Sequence, residues 1–277
     1  MLFRSFTITY TGFLNSDNTS SITVPIASTT ATNITGAGGY QITLSGGTAT
    51  NYTLTLQVGT LTITKAPLIA KADDKSRQYG IANPTFTITY TGFLNGDLST
   101  SITVPTASTT ATPATNVGTY SNSIVVSGGL ASNYNFSYVS GTLTITKAPL
   151  TAKADDQSRQ YGVANPSFTI TYTGFLNSDN ASSITAPTAS TTATIGNSIG
   201  GYQIILSGGT ATNYTLTLQD GTLTITKAPL TAKADDKTRQ YGVANPAFTI
   251  TYTGWISLAI NFCFIIRCRC KYRFINS

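Results

Sequence analysis

The chain has 277 residues, contains no His and no Glu, and carries charged side chains at only 9 % of its positions. Its net charge is +6, but five of its sixteen basic residues lie outside the repeats described below, which hold eleven basic residues against ten Asp. This near balance excludes the basic surface that nucleic-acid binding needs. The absence of His and Glu removes the side chains most often used as general bases.

Two phrases recur along the chain. Lys-Ala-Pro-Leu begins at positions 65, 147 and 227, and Phe-Thr-Ile-Thr-Tyr-Thr-Gly recurs with its Tyr at positions 10, 90, 172 and 252. The steps of 80, 82 and 80 residues indicate an array of similar units, each long enough to bury a small core. We divide the chain into a truncated first copy (1–68), a complete second copy (69–150), a complete third copy (151–230), a truncated stump (231–254) and a non-repeat tail (255–277).

The tail leaves the repeat at Trp255, where the other copies continue with Phe-Leu-Asn. A shifted reading frame at the Trp codon restores the expected Gly-Phe-Leu, so we interpret 255–277 as a frameshifted segment and the chain as a fragment. The coding DNA after Gly254 tests this interpretation. A membrane anchor is the alternative, but the apolar run Trp255–Ile266 is shorter than the about 20 residues of a spanning helix. We therefore predict no membrane insertion.

In the third copy, five runs alternate apolar and polar residues, as half-buried strands do. We expect six or seven strands, a hairpin turn at Asp220–Gly221, and one helical turn at 180–184 with Asp179 as its N-cap. The predicted fold is all-β: a tandem array of small antiparallel β-sandwich (Ig-like) domains, with β-grasp-like repeats as the alternative. The predicted core comprises Leu150, Phe168, Ile170, Tyr172, Ile204, Leu216, Leu218, Leu223 and Ile225.

The junctions between copies contain no Gly/Ser linker. Pro67, Pro149 and Pro229 fix one backbone dihedral at each crossing and hold the preceding residue extended. From the sequence we expect short junctions and an extended array, which small-angle scattering on the chain would test.

Acidic residues recur as Asp73-Asp74, Asp155-Asp156 and Asp235-Asp236, with Asp97 or Asp179 further on. Carboxylates at domain junctions are typical calcium ligands. The spacing matches no calcium loop such as the EF-hand, however, and Lys and Arg flank the pairs. We favour solvated turns with local ion pairs, and predict no metal site.

Arg159-Gln-Tyr-Gly162, followed by Ala-Asn-Pro at 164–166, is the most distinctive signature. Gly162 is expected to supply a turn conformation. Tyr161 has two interpretations: it stacks on a sugar, or it pins the turn to the core, which we favour. No nucleophile–base pair, phosphate loop or dinucleotide fingerprint is present, so we predict no catalytic residue, no cofactor and no enzyme activity.

The Tyr-Gly signature at 78–80, 160–162 and 240–242 resembles the MBG repeat domain of the YGX type. Further elements follow in the order that this family shows: Tyr-Thr-Gly-Phe-Leu-Asn-Gly-Asp (90–97), Val-Gly-Thr-Tyr (117–120), Asn-Tyr (133–134) and Gly-Thr-Leu-Thr-Ile (141–145). The third copy departs mildly at 199–202 and at Ser178. The resemblance covers about 5–254.

The resemblance implies building blocks of large secreted or surface-attached bacterial proteins, many of them adhesin-like. It transfers no ligand or catalytic residue. We therefore expect structural stalk repeats of a cell-surface or secreted adhesin, whose partners are the neighbouring repeats of a larger parent protein. The alternative is a module that binds an extracellular glycan or host surface weakly and gains from avidity. We expect an extracellular or cell-surface location, although no signal peptide precedes the first strand pattern.

Overall fold

A computed structural model describes residues 6–254, and the predicted frameshifted tail lies outside the described residues. The chain divides after residue 146 into two compact units. The regular structure of the described residues is β-strand, apart from three short 3-10 turns at Thr19–Ser21, Ser99–Ser101 and Ala181–Ser183. Within 6–254, no helix is long and apolar enough to cross a bilayer.

The strands follow the sequence repeats, although the first strands of the second and third copies begin three residues before the predicted starts at 69 and 151. The first copy contains β1 (Ile26–Ser28), β2 (Gly38–Ser45) and β3 (Gly59–Ile63). The second contains β4 (Ala66–Ala72), β5 (Lys75–Gln78), β6 (Ile88–Thr91), β7 (Thr106–Ser108), β8 (Gly118–Ser127), β9 (Tyr134–Val139) and β10 (Gly141–Thr146). The third contains β11 (Ala148–Ala154), β12 (Gln157–Gln160), β13 (Ile170–Thr173), β14 (Thr188–Ser190), β15 (Gly200–Ser207), β16 (Tyr214–Gln219) and β17 (Gly221–Thr226). The stump contains β18 (Thr231–Ala234) and β19 (Ile250–Thr253).

Each complete copy consists of two sheets. In the second copy the sheets have the orders β6-β4-β9 and β5-β10-β8-β7, and the third copy repeats them as β13-β11-β16 and β12-β17-β15-β14. The first long strand is interrupted at the Asp-Asp pair, so its first half joins one sheet and its second half joins the other. The all-β prediction is confirmed, and the predicted helical turn is a three-residue 3-10 turn, as the β-grasp-like alternative with a reduced helix also expects.

The sheets are mixed, whereas the sequence predicted antiparallel ones. β4 runs parallel to β9, and β5 runs parallel to β10, while the remaining pairs are antiparallel. The reason is the split first strand: both halves lie beside strands from the end of the copy that run in the same direction. Local alternation shows that a segment is a strand, but it carries no information about the direction of its partner.

The core lies between the two sheets. In the third copy, Ala152 and Ala154 from one sheet cluster with Ile204, Leu206, Leu223 and Ile225 from the other. Of the predicted core, Leu150, Ile204, Leu223 and Ile225 are at most 2 % exposed, and Phe168, Ile170, Tyr172 and Leu216 are partly buried. Leu218 was predicted wrongly: it is 36 % exposed, because it lies near the end of β16, at the edge of its sheet.

Two predicted turns differ from the structure. Asp220–Gly221 is not a hairpin, because β16 and β17 belong to different sheets and the chain crosses between them at this point. Asp179 is not the N-cap of the short turn: Asn180 is, and its side-chain oxygen accepts a hydrogen bond from the amide of Ser182 at 2.9 Å. The carboxylate of Asp179 accepts the hydroxyl of Tyr214 instead.

The glycine at this crossing is required by close packing. A Cβ on Gly221 would lie 2.5 Å from the carbonyl oxygen of Ala154, and one on Gly141 would lie 2.7 Å from that of Ala72. The equivalent Gly59 of the first copy would meet only the side chain of Ile42, at 3.6 Å. The difference arises because, among residues 6–254, no strand equivalent to β4 packs against Gly59.

We therefore predict that Gly221→Ala destabilises the third copy by about 2 kcal/mol, because backbone must move to admit the methyl group. The matched variant Gly59→Ala should change the stability of the first copy by less than about 0.5 kcal/mol. Urea unfolding monitored by hydrogen-exchange mass spectrometry resolves the copies, since each peptide reports its own copy. Equal costs at the two glycines would show that the crossing is not sterically constrained.

The first copy shows what β4 contributes. Its described part begins at Phe6, after the positions that β4 and β5 occupy in the second copy, and it forms only the sheet β1-β2-β3. Residues 52–57 have the same sequence as β16 but form no strand, and residues 8–11, identical to β13, form none either. Since β4 and β11 are the central strands of their sheets, a copy without that strand loses the whole sheet.

Candidate functional site

The signature of each complete copy is built around a buried arginine. Arg77 is 7 % exposed and Arg159 is 6 % exposed. Arg159 Nε donates to Asn165 Oδ1 at 2.7 Å, and its terminal nitrogens donate to the carbonyls of Gln160 at 3.1 Å and Thr194 at 2.6 Å. Arg77 makes the same bonds to Asn83, Gln78 and Thr112. The guanidinium is therefore held by neutral oxygens, and burial lowers the pKa of Arg77.

The asparagine of Ala-Asn-Pro completes this arrangement. Asn165 Nδ2 donates to the carbonyl of Ala193 at 2.7 Å, and Asn83 Nδ2 donates to that of Ala111 at 2.6 Å. Arg and Asn together tie the Tyr-Gly turn to a loop about thirty residues further on. In the stump, which includes no such loop, Arg239 is exposed and bonds only to its own turn, at Gln240 and Val243.

The signature tyrosine packs inward. Tyr79 is only 3 % exposed, and Tyr161 is partly buried against the core of the third copy. The ring of Tyr79 therefore presents no face to a sugar, and the packing of Tyr161 against the core agrees with the interpretation that it pins the turn. Gly80 and Gly162 have φ angles of 81° and 78°, which confirms the predicted turn glycines.

The recurring acid pair joins the split first strand to both sheets. Asp155 accepts hydrogen bonds from the hydroxyls of Thr169 and Thr171, both at 2.6 Å, beside β13. Asp156 accepts the amide of Thr222 in β17 at 2.8 Å. Asp73 and Asp74 repeat these bonds with Thr87, Thr89 and Thr142. The two carboxylates thus link the interruption of the first strand to a neighbouring strand in each of the two sheets.

Among residues 6–254, one of the expected local ion pairs forms: Lys233 and Asp236 lie 3.9 Å apart on the exposed stump. At the acid pairs of the two complete copies, hydrogen bonds take the place of ion pairs. Hydroxyl and amide donors replace the lysines because they lie on neighbouring strands in fixed positions. No cluster of three side chains that could hold a metal occurs in the part of the chain that the structure describes.

The acid pair predicts a pH dependence. Hydrogen bonds from Thr169 and Thr171, together with Lys153, lower the pKa of Asp155 in the folded copy. A folded pKa below the unfolded value favours folding above the unfolded pKa, and this contribution is lost as the pH falls through the folded value. We expect the melting temperature of the third copy to fall on acidification below about pH 4. Asp155→Asn should reduce that fall; an unchanged acid dependence in the variant would contradict the role given to Asp155.

Asp97 and Asp179 each accept a hydrogen bond from a tyrosine hydroxyl of their own copy. Tyr134 Oη donates to Asp97 at 2.6 Å and accepts the amide of Leu94 at 3.0 Å, and Phe93 packs edge-on against its ring. Burial, followed by the hydrogen bond to Asp97, raises the pKa of Tyr134. The first copy keeps the same contact between Tyr52 and Asp17 at 2.6 Å, although residues 52–57 form no strand there.

The Lys-Ala-Pro-Leu phrase is also part of the fold. β4 begins at Ala66, where its residues pair with Tyr134 and Asn135 of β9. Lys65 Nζ donates to the carbonyl of Ala131 at 2.7 Å, at the edge of an open depression that also includes 100–103 and 130–132. Lys147 makes the same bond to Ala211 at 2.8 Å. The depression contains no acid or aromatic side chain, so it brings together no catalytic or sugar-binding groups.

The sequences of the repeats match a known domain family. A protein-family model described as MBG domain (YGX type) matches the chain three times, at residues 4–62, 68–144 and 150–224, which together make up more than half of it. The chain belongs to this family. It is not an enzyme family, and membership indicates repeated domains of a larger protein. No curated protein matches the chain.

In these MBG domains, sequence reasoning singled out Tyr and Asp as candidate ligand residues but overlooked Arg and Asn. The available signal was their constant spacing of six residues, Arg77 to Asn83 and Arg159 to Asn165. An arginine in a chain so poor in charge is normally interpreted as a surface residue, because burying a cation is costly.

Proposed function

We propose that the MBG domains of this chain are non-catalytic, load-bearing spacer repeats of a larger adhesin-like protein that is secreted or attached to the cell surface. Family membership supports a role as repeated domains. The surface location follows from the resemblance to secreted and surface-attached bacterial proteins. Exposure of the repeats to protease added to intact cells would test the location.

The pairing of the first and last strands carries the load-bearing proposal. The chain enters the second copy through β4 and leaves through β10. β5 lies parallel to β10, with Lys75 opposite Leu143 and Gln78 opposite Thr146, and β4 lies parallel to β9 over six residues. Pulling the ends apart drives β5 and β10 in opposite directions along their length. The hydrogen bonds between them then share the force, whereas a hairpin pulled at its ends opens one bond at a time.

The use of the signature side chains supports a spacer over a binding module. The Arg and Asn of the signature, and both residues of the acid pair, form hydrogen bonds within their own copy. Tyr79 of the signature is buried. Exposed tyrosines at equivalent positions would favour glycan binding. The exposed tyrosines of residues 6–254 are Tyr138, Tyr241 and Tyr252, and none of them has an exposed tyrosine at the same position of another complete copy.

Single-molecule force spectroscopy on the full chain, held by tags at both ends, tests the proposal. We expect two separate force peaks, one for each complete copy, and each should release about 25 nm because roughly 80 residues extend to about 29 nm. The first copy and the stump lack the parallel pairing and serve as internal controls that extend without a comparable peak. Extension at low force without separate peaks would contradict the proposal.

Binding measurements separate the two candidate roles. A spacer should show no saturable binding to glycan arrays or to host-cell surfaces. Tyr79→Ala is unsuitable for this test, since Tyr79 is buried and its removal would destabilise the fold. Saturable binding that is lost on changing an exposed side chain such as Tyr138 would overturn the spacer role in favour of a binding module.

A further inference from the structure

One turn of the second copy differs in sequence from its counterparts. In the turns 14–17, 94–97 and 176–179, the amide of the fourth residue donates to the carbonyl of the first at 2.9 Å, and the second residue is an asparagine with φ between 51° and 54°. The third residue is Ser16 in the first copy and Ser178 in the third, but Gly96 in the second. We propose that Asn95 is a site of spontaneous deamidation, and that this modification breaks a hydrogen bond between the first and second copies.

Deamidation at an Asn-Gly pair is an intramolecular displacement followed by hydrolysis. The backbone nitrogen of Gly96 bonds to Cγ of Asn95, the Cγ–Nδ2 bond breaks, and the backbone proton leaves with Nδ2 as ammonia. Water then opens the resulting succinimide at either of its carbonyls, which yields aspartate or isoaspartate and releases a proton. Asparagine is among the thermolabile residue types of proteins. The reaction consumes only water, so the proposal is independent of the spacer role.

The reacting atoms of this turn are accessible. Asn95 and Gly96 are both exposed, and a Cβ on Gly96 would meet no other atom within 4 Å. Among the described residues, the amide of Gly96 donates no hydrogen bond that would hold the attacking nitrogen in place. Glycine also lacks the Cβ that crowds the corresponding nitrogen of Ser16 and Ser178. Attack on the asparagine side chain is therefore least hindered in the second copy.

Asn95 is one of two asparagines of the second copy that bond to the first copy. Its Nδ2 donates to the carbonyl of Asn33 at 3.2 Å, and Asn133 Oδ1 accepts the amide of Ala37 at 2.9 Å. Deamidation replaces the Nδ2 donor with a carboxylate, which accepts hydrogen bonds but cannot donate one to that carbonyl. The hydroxyl of Tyr134 keeps the rest of the turn attached to its own copy. The loss therefore falls on the contact between the two copies.

Peptide mapping by mass spectrometry tests the modification, and the two Asn-Ser turns are matched controls within the same molecule. The folded full chain is incubated at physiological temperature, and aspartate and isoaspartate are quantified at Asn95, Asn15 and Asn177. We expect conversion at Asn95 to be many-fold faster than at the other two sites, and Gly96→Ser should slow it to their rate. Equal rates at the three sites, an unchanged rate in Gly96→Ser, or conversion only in chain unfolded by urea would each overturn the proposal.

The effect on the contact between copies is tested with Asn95→Asp, which carries the side chain of the product from the start. Hydrogen exchange at the amide of Ala37 should become several-fold faster, because both asparagines hold the same 33–37 loop. Asn15→Asp is the matched control: it makes the same change of charge in the same turn of the first copy, and should leave that exchange rate unchanged. Unchanged exchange in Asn95→Asp, or equal acceleration by Asn15→Asp, would overturn the proposed effect of deamidation on the contact.

Discussion

Replacing Arg159 with alanine should lower the free energy of unfolding of the third copy by about 3 kcal/mol or more. The side chain is 6 % exposed and donates to Asn165, Gln160 and Thr194. Its removal leaves buried carbonyl and amide oxygens without a donor and opens a cavity, and each unsatisfied buried group costs about 1–3 kcal/mol. Urea unfolding with copy-resolved hydrogen exchange, followed on peptides from 200–226, measures the loss.

Two variants sharpen this prediction. Arg239→Ala removes the equivalent exposed arginine of the stump and should change no copy's stability by more than about 0.5 kcal/mol. Arg159→Lys should recover little, because an ammonium lacks the planar fork that reaches three oxygens at once. Full recovery by lysine would show that positive charge alone matters, and an alanine variant as stable as the unmodified chain would contradict the structural role of the arginine.

Ile225→Asp should destabilise the third copy by about 4 kcal/mol or more. Ile225 is 2 % exposed, lies in β17 and clusters with Ala152, Ala154 and Ile204 from both sheets. An aspartate there either buries an unpaired charge or forces the sheets apart, and both are costly.

The matched variant for this position is Ile63→Asp. Ile63 occupies the same position in β3 but is only half-buried, since no strand in the described part of the chain covers that face. Its replacement should cost clearly less, and differential scanning calorimetry combined with copy-resolved exchange would measure both. An equal cost at the two positions would mean that the first copy buries its apolar face as fully as the third copy does.

The elements that could be predicted from the sequence are those governed by local pattern. Alternation of apolar and polar residues indicated the strands, and the fixed period indicated the array. The same pattern predicted a strand at both 52–57 and 214–219, which share one sequence, yet only the second forms one. The difference depends on β11, which lies about sixty residues before β16 and has no counterpart among the described residues of the first copy.

Side-chain roles were less predictable for the same reason. Arg159 is a buried residue only because the loop that includes Ala193 and Thr194 folds over it, about 35 residues along the chain. Asp220 and Gly221 have the composition of a hairpin turn, but the strands on either side of them belong to different sheets. Composition describes the conformation that a dipeptide tolerates, and the sheet that each strand joins is decided by distant partners.

Native-state hydrogen exchange tests most directly whether β11, the first strand of the third copy, is what orders the sheet β13-β11-β16. The amides of 214–219 should exchange slowly, close to the rate set by global unfolding of the third copy, because β16 pairs with β11. The amides of the identical segment 52–57 should exchange many-fold faster. Equal protection of the two segments would contradict the structure at its central point.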